Sequence, residues 1–189
     1  MLLSLYRPPI RLAPVRPLSG FTLIELMVTI AIFGIIMFAA APSLSSFLSR
    51  SELTAEANRF MGALVFARTE AVKRNTNVVL CPSKDQTSCN SSNWADGWIT
   101  FQDTDGSGTL AADTSEEVIK YADAASSVNI YPDSEFAAAI RYKADGNINN
   151  NPGKVVICSD KAPAATNARE VGIASGGRTS ITATQKSDC

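Results

Sequence analysis

The chain has 189 residues, 46% of them apolar and 19% charged, with a formal net charge of −1. That length holds one ordinary domain plus an extra element rather than two full cores. The charge gives no sign of a nucleic-acid or membrane-surface binder. Histidine is absent, which removes the usual general base near neutral pH, histidine triads and histidine-ligated zinc together.

The charge is unevenly spread. The first twenty residues hold Arg7, Arg11 and Arg16 and no acid, so the remainder has 17 − 3 = 14 basic against 18 acidic residues, a net of −4. Residues 21–41 then form an apolar run whose one charge is Glu25. At 1.5 Å per residue such a run spans a hydrocarbon core of about 30 Å. Its eleven Phe, Leu, Ile and Val residues contribute roughly −3 to −7 kcal/mol to insertion, against at most about 3 kcal/mol for a central carboxylate. Insertion wins, and the arginines ahead of the run predict a cytoplasmic N-terminus. A secretory signal, a plain anchor and a buried core helix are the competing readings. The run is too long for a signal h-region, and an intramembrane carboxylate calls for a partner.

Ser19-Gly20-Phe21-Thr22-Leu23-Ile24-Glu25-Leu26 resembles the processing site of type IV pilins and type II secretion pseudopilins. The resemblance implies cleavage by prepilin peptidase after Gly20 and N-methylation of Phe21. It also implies that Glu25 pairs with a neighbouring subunit's N-terminal amine during assembly. Pro42 falls where pilins often carry a helix-kinking proline. The expected organisation is a cytoplasmic leader at 1–20, a transmembrane and filament-core helix at 21–42, its amphipathic continuation at 43–75, and a periplasmic β-rich domain at 76–189.

Beyond Pro42 the residues Leu53, Ala57, Phe60, Leu64, Ala67 and Ala71 recur at helical spacing and draw one apolar stripe, a core face for a sheet. After Asn75 the pattern turns to short strand-like runs at 78–81, 98–102, 117–121, 128–131, 140–143, 155–158, 170–174 and 179–184. Turn signals separate them at Asp96-Gly97, Asp105-Gly106, Asp145-Gly146 and Asn151-Pro152-Gly153. Strands following one helix predict an α+β domain, with antiparallel sheet packed on the stripe.

The block Leu80-Cys81-Pro82, Cys89 and Trp94-Ala95-Asp96-Gly97-Trp98 through Asp103 narrows the resemblance to the FimT/GspH family. These are minor pilins of type IV pili and H-type pseudopilins of type II secretion. Ser175-Gly176-Gly177-Arg178 is a second point of similarity. The four cysteines form no Cys-x-x-Cys pair and read as two disulfides in an exported chain. Of the three pairings available, Cys81–Cys89 with Cys158–Cys189 is favoured.

Two sites invite chemistry. Asp103, Asp105 and Ser107 occupy positions 1, 3 and 5 of an EF-type calcium loop, with Gly108 at the turn. Position 12, however, is Thr114, and Glu116 comes two residues late. A polar hairpin turn is the preferred reading and a calcium-stabilised subunit the alternative. Family members implicated in DNA uptake carry Gly-Arg-x-Arg on the last strand. Here Gly177 and Arg178 match but Ser180 replaces the second arginine, and Lys186, Lys154, Lys161 and Arg169 could add phosphate contacts only from a shared face.

No Gly-x-Ser-x-Gly elbow, P-loop or dinucleotide fingerprint is present, so the expectation is a non-enzyme without a resident cofactor. The resemblance implies a minor pilin of a type IV pilus, with the H-type pseudopilin of type II secretion as the alternative. The implied partners are other pilins, prepilin peptidase and the inner membrane, with DNA a further candidate.

Overall fold

The structure, a computed structural model, describes residues 20–110, 116–159, 168–185 and 189, with the backbone alone for 39–43. The chain divides into two units, Met1–Ala41 and Pro42–Cys189. One helix, α1 (Leu23–Arg74), has residues in each.

In the first unit α1 starts with a side-chain cap. The Glu25 amide donates to Thr22 Oγ1 at 3.3 Å, which satisfies one of the amides left unpaired at a helix N-terminus. From Phe21 to Phe38 every large apolar side chain is exposed. Among the described residues no helix is long and apolar enough to cross a membrane. The segment expected to do so, 21–42, runs into residues 39–43, whose side chains lie outside those described.

Among the described residues the second unit holds eight strands in two antiparallel sheets. The strands are β1 (Asn77–Pro82), β2 (Trp98–Asp103), β3 (Val118–Ala122), β4 (Val128–Pro132), β5 (Ile140–Tyr142), β6 (Gly153–Ser159), β7 (Ala168–Ile173) and β8 (Thr179–Thr184). One sheet runs β3-β2-β1-β5 and the other β4-β6-β7-β8.

The helical stripe makes the common core. Leu53, Ala57, Phe60, Leu64, Ala67 and Ala71 are all buried, clustered with Val78 and Leu80 of the first sheet and Val155, Ile157, Val171 and Ile173 of the second. Phe60 is its centre, edge-on to Trp94 at 5.4 Å and to Trp98 at 5.3 Å. Trp94 Nε1 donates to the Phe136 carbonyl at 3.0 Å, so its polar handle is satisfied inside the core. Trp94 and Tyr142 are buried, whereas Tyr131 is exposed.

Strand β1 is apolar along its length because both its faces are covered. Val78 and Leu80 join the helix-side core, while Val79 and Cys81 form a second cluster with Ile99, Phe101 and Leu110 on the far face. Cys81 is bonded to Cys89, and Cys158 to Cys189.

Each expected strand is present, and all but 179–184 have shifted ends. The 155–158 strand begins earlier, at Gly153, a residue read from sequence as part of a turn. Gly153 faces Ile173 in the ladder, and a Cβ there would come within 2.2 Å of Asp133 Oδ2. The glycine admits a close side-chain approach rather than breaking the strand.

Candidate functional site

Three places carry the residues singled out in the sequence. At the N-terminus, Gly20 and Phe21 precede the helix, Phe21 is 87% exposed, and Glu25 sits in the first turn. A carboxylate there is favoured by the positive end of the helix dipole. Among the described residues Glu25 has no cationic partner. Pro42 lies within the helical backbone, but its side chain is outside the described set.

The second place is the turn joining β7 to β8. Gly177 adopts φ +71°, and a Cβ there would lie 2.1 Å from the Gly146 carbonyl oxygen, so glycine is required for two turns to meet. Arg68 of α1 holds both turns: its Nε donates to the Gly146 carbonyl at 3.0 Å and its Nη2 to the Gly176 carbonyl at 2.9 Å. Gly177 is therefore architectural, while Arg178 remains exposed.

The other basic candidates do not converge on Arg178. Lys154 pairs with Glu170 at 3.0 Å, and Arg169 reaches Thr54 of the helix at 3.4 Å. Register places them on opposite faces of the second sheet, because Lys154 opposes Gly172 and Arg169 opposes Ile157. The shared face required for several phosphate contacts is absent for this pair. Lys161 and Lys186 lie outside the described residues.

The third place is the end of β2. Asp103, Asp105 and Glu116 each bring a carboxylate oxygen within 4.8 Å of the other two. Asp103 is only 3% exposed; its Oδ2 accepts from the Gly108 amide at 3.2 Å, and its buried Oδ1 has no hydrogen-bond partner. Burial pushes the Asp103 carboxyl above the usual range, with the Asp105 side chain and the Glu116 charge adding to the rise against the Gly108 amide. Asp105 is exposed and held below the usual range, first by the Ser107 amide.

Of the EF-type positions, the Ser107 hydroxyl bonds the Thr109 carbonyl and lies 3.1 Å from the Thr109 hydroxyl. The third carboxylate beside Asp103 and Asp105 is Glu116, which accepts from the Thr104 amide at 3.2 Å. A linear twelve-residue template misses Glu116 because the hairpin, not the spacing, returns it: Gln102 N–H bonds the Glu117 carbonyl at 3.1 Å. Thr114 lies outside the described residues.

Two family models match the chain. The model for the prokaryotic N-terminal methylation motif matches residues 18–41, and that for the type II transport protein GspH matches residues 56–177. The chain belongs to the GspH family. A search of curated protein sequences finds no match.

Among solved structures, it is similar to the type IV minor pilin FimU of Pseudomonas aeruginosa in two crystal forms. The TM-scores are 0.56 and 0.53 at 22% and 20% identity, covering 73% and 70% of this chain and 96% and 97% of FimU. The minor pseudopilin EpsH from the type 2 secretion system of Vibrio cholerae matches with a TM-score of 0.45 at 15% identity, over 70% of this chain and 97% of EpsH. The GspH-family chain thus has the α+β fold of the type IV minor pilin FimU, a long N-terminal helix followed by antiparallel sheets.

Proposed function

We propose that this GspH-family chain is a minor pilin: a single-pass inner-membrane protein, cytoplasmic at its N-terminus, that is drawn into a type IV pilus. The observation that carries the reading is Gly20-Phe21 followed by Glu25 in the first turn of an apolar, uncovered helix. Cleavage after Gly20 by prepilin peptidase leaves a positive amine on Phe21, which is then N-methylated. In a filament the exposed apolar side chains pack against other subunits' helices. Glu25 then neutralises a neighbour's amine in the low-dielectric core. A buried charge left without its partner costs about 3–5 kcal/mol, so the pair specifies the register of the subunits.

The test uses the full chain in a bacterium that assembles such filaments. Glu25→Ala should leave membrane insertion intact and lower recovery in sheared filaments by roughly a hundredfold or more, as about 3 kcal/mol implies. Recovery of the variant at the unmodified level would overturn the pairing mechanism.

A second reading, the H-type pseudopilin of type II secretion, is supported by the description of the family model that matches the domain. Deleting the chain separates the two. Loss of surface pili with normal secretion supports the pilus; loss of exoprotein secretion with normal pili supports the pseudopilus.

For DNA capture the described residues offer Arg178 alone at the β7–β8 turn, which points to weak, salt-sensitive binding. DNA retardation by the detergent-solubilised chain should fall as salt rises and vanish in Arg178→Ala. Retention in the variant would remove Arg178 from that role.

A further inference from the structure

We propose that Asp103, Asp105 and Glu116 form a calcium site that ties the end of β2 to the chain entering β3. Acidic side chains often cluster at a surface without any ligand, but this cluster has a buried member. Asp103 is 97% buried by its 3% exposure, and its Oδ1 faces no donor. Oδ2 is already engaged by the Gly108 amide. Among the described residues no lysine or arginine pairs with Asp103 or Asp105. A buried acceptor without a donor and three mutually close carboxylates are both costly arrangements, and one divalent cation relieves both.

The donor chemistry selects the ion. All three groups are carboxylates, the ligands of hard cations, and calcium tolerates the irregular geometry of a loop better than magnesium does. Zinc is disfavoured because the chain has no histidine and all four of its cysteines are in disulfides. The loop also supplies backbone and hydroxyl oxygens between Thr104 and Thr109. Gly106 and Gly108 hold it in a tight turn at φ +76° and +73°. Arg141 lies against this turn, since a Cβ on Gly108 would meet its guanidinium at 2.3 Å. Three carboxylates on an exposed loop point to an affinity at the weak, extracellular end, on the order of 10⁻⁴–10⁻³ M.

The test is thermal unfolding of the full chain in detergent, stripped with EDTA and titrated with calcium chloride. Magnesium chloride is the selectivity arm. Calcium at about ten times its Kd should raise Tm by about 3–6 °C, and magnesium at that concentration should do much less. Asp105→Asn keeps an acceptor for the Ser107 amide but removes one charge. It should lose the calcium response, and Glu116→Gln should lose it too. Asp145→Asn, at another exposed Asp-Gly turn that accepts an amide two residues on, should keep it. The proposal is overturned if calcium does not raise Tm, if Asp105→Asn and Glu116→Gln respond like the unmodified chain, or if magnesium does as well as calcium. None of these outcomes bears on the pilin reading, which rests on the N-terminal segment.

Discussion

Two stretches of α1 are both helical and obey opposite rules. From 23 to 38 the helix is apolar almost all round, and every large apolar side chain is exposed. From Leu53 to Ala71 the apolar residues fall on one stripe, and all six of its members are buried under the two sheets. An apolar stripe is what a helix needs to cover one face of a domain, whereas an all-round apolar helix needs a surround. Nothing among the described residues supplies that surround. On the minor-pilin reading proposed above, lipid or other subunits' helices supply it for the first stretch, whereas the second is covered by the sheets of its own chain.

Substitution at matched aromatic positions breaks or sharpens that contrast, and it carries the largest expected effect. Phe60→Ala empties the space between Trp94 and Trp98 and should destabilise the domain by about 3–5 kcal/mol. Phe33→Ala removes a ring that is 58% exposed and should change stability by no more than about 0.5 kcal/mol. Denaturant unfolding of the detergent-solubilised chain, followed by tryptophan fluorescence, reads both. Comparable losses from the two variants would end the distinction between the stretches.

The next effect concerns the end of the chain. Cys158 sits in β6 on the face away from the helix, clustered with Val156 and Ala168, and its bond to Cys189 closes a sequence separation of 31 residues. The chain-entropy model assigns such a closure about 3–4 kcal/mol. A Cys158→Ser, Cys189→Ser double variant should lose that much in the same unfolding assay. A loss below about 1 kcal/mol would mean that the C-terminus stays ordered without the tether.

How much of this was legible in the sequence depends on the range of the signal. The stripe and all eight strands followed from local periodicity and turn residues, and only their ends moved. Gly153 read as a turn because nothing local announces that Asp133, twenty residues earlier, needs the space of its missing side chain. Glu116 was set aside for the same reason, since a linear loop template cannot see a carboxylate returned by a hairpin. Arg68 gave no signal at all: on the sequence it is one more charge on a helix, and its two carbonyl acceptors lie 78 and 108 residues away. The basic residues of the second sheet failed in the opposite direction. Composition suggested a patch, and the alternation of β6 and β7 sends Lys154 and Arg169 to opposite faces.

Arg68 offers a mid-sized test of whether the second stretch does more than fill a core. Arg68→Met keeps much of the stem and removes two charge-assisted bonds to turn carbonyls, at a cost of about 1.5–3 kcal/mol. Amide exchange around Gly146 and Gly177 should quicken more than exchange in β1. Uniform quickening would point to general destabilisation instead of a local clamp.

The smallest effect is a pH response confined to the Cys81–Cys89 loop. Asp85 accepts from the Thr87 amide at 2.9 Å, the Ser88 amide at 2.9 Å, the Ser88 hydroxyl at 2.7 Å and the Ser83 hydroxyl at 3.1 Å. These donors, the Thr87 amide foremost, hold its carboxyl well below the ordinary 3.8. A depressed acid favours the folded state above its unfolded value, and that contribution fades as pH falls through the folded value. Between pH 5 and pH 7 the difference in Tm between the unmodified chain and Asp85→Asn should be constant. Below about pH 4 it should shrink, because the unmodified carboxylate then loses the charge that the variant never had. The side chain is exposed, so the difference should be small throughout. A gap that widens on acidification would reverse the sign and show that Asp85 is better tolerated protonated in the folded loop than in the unfolded chain.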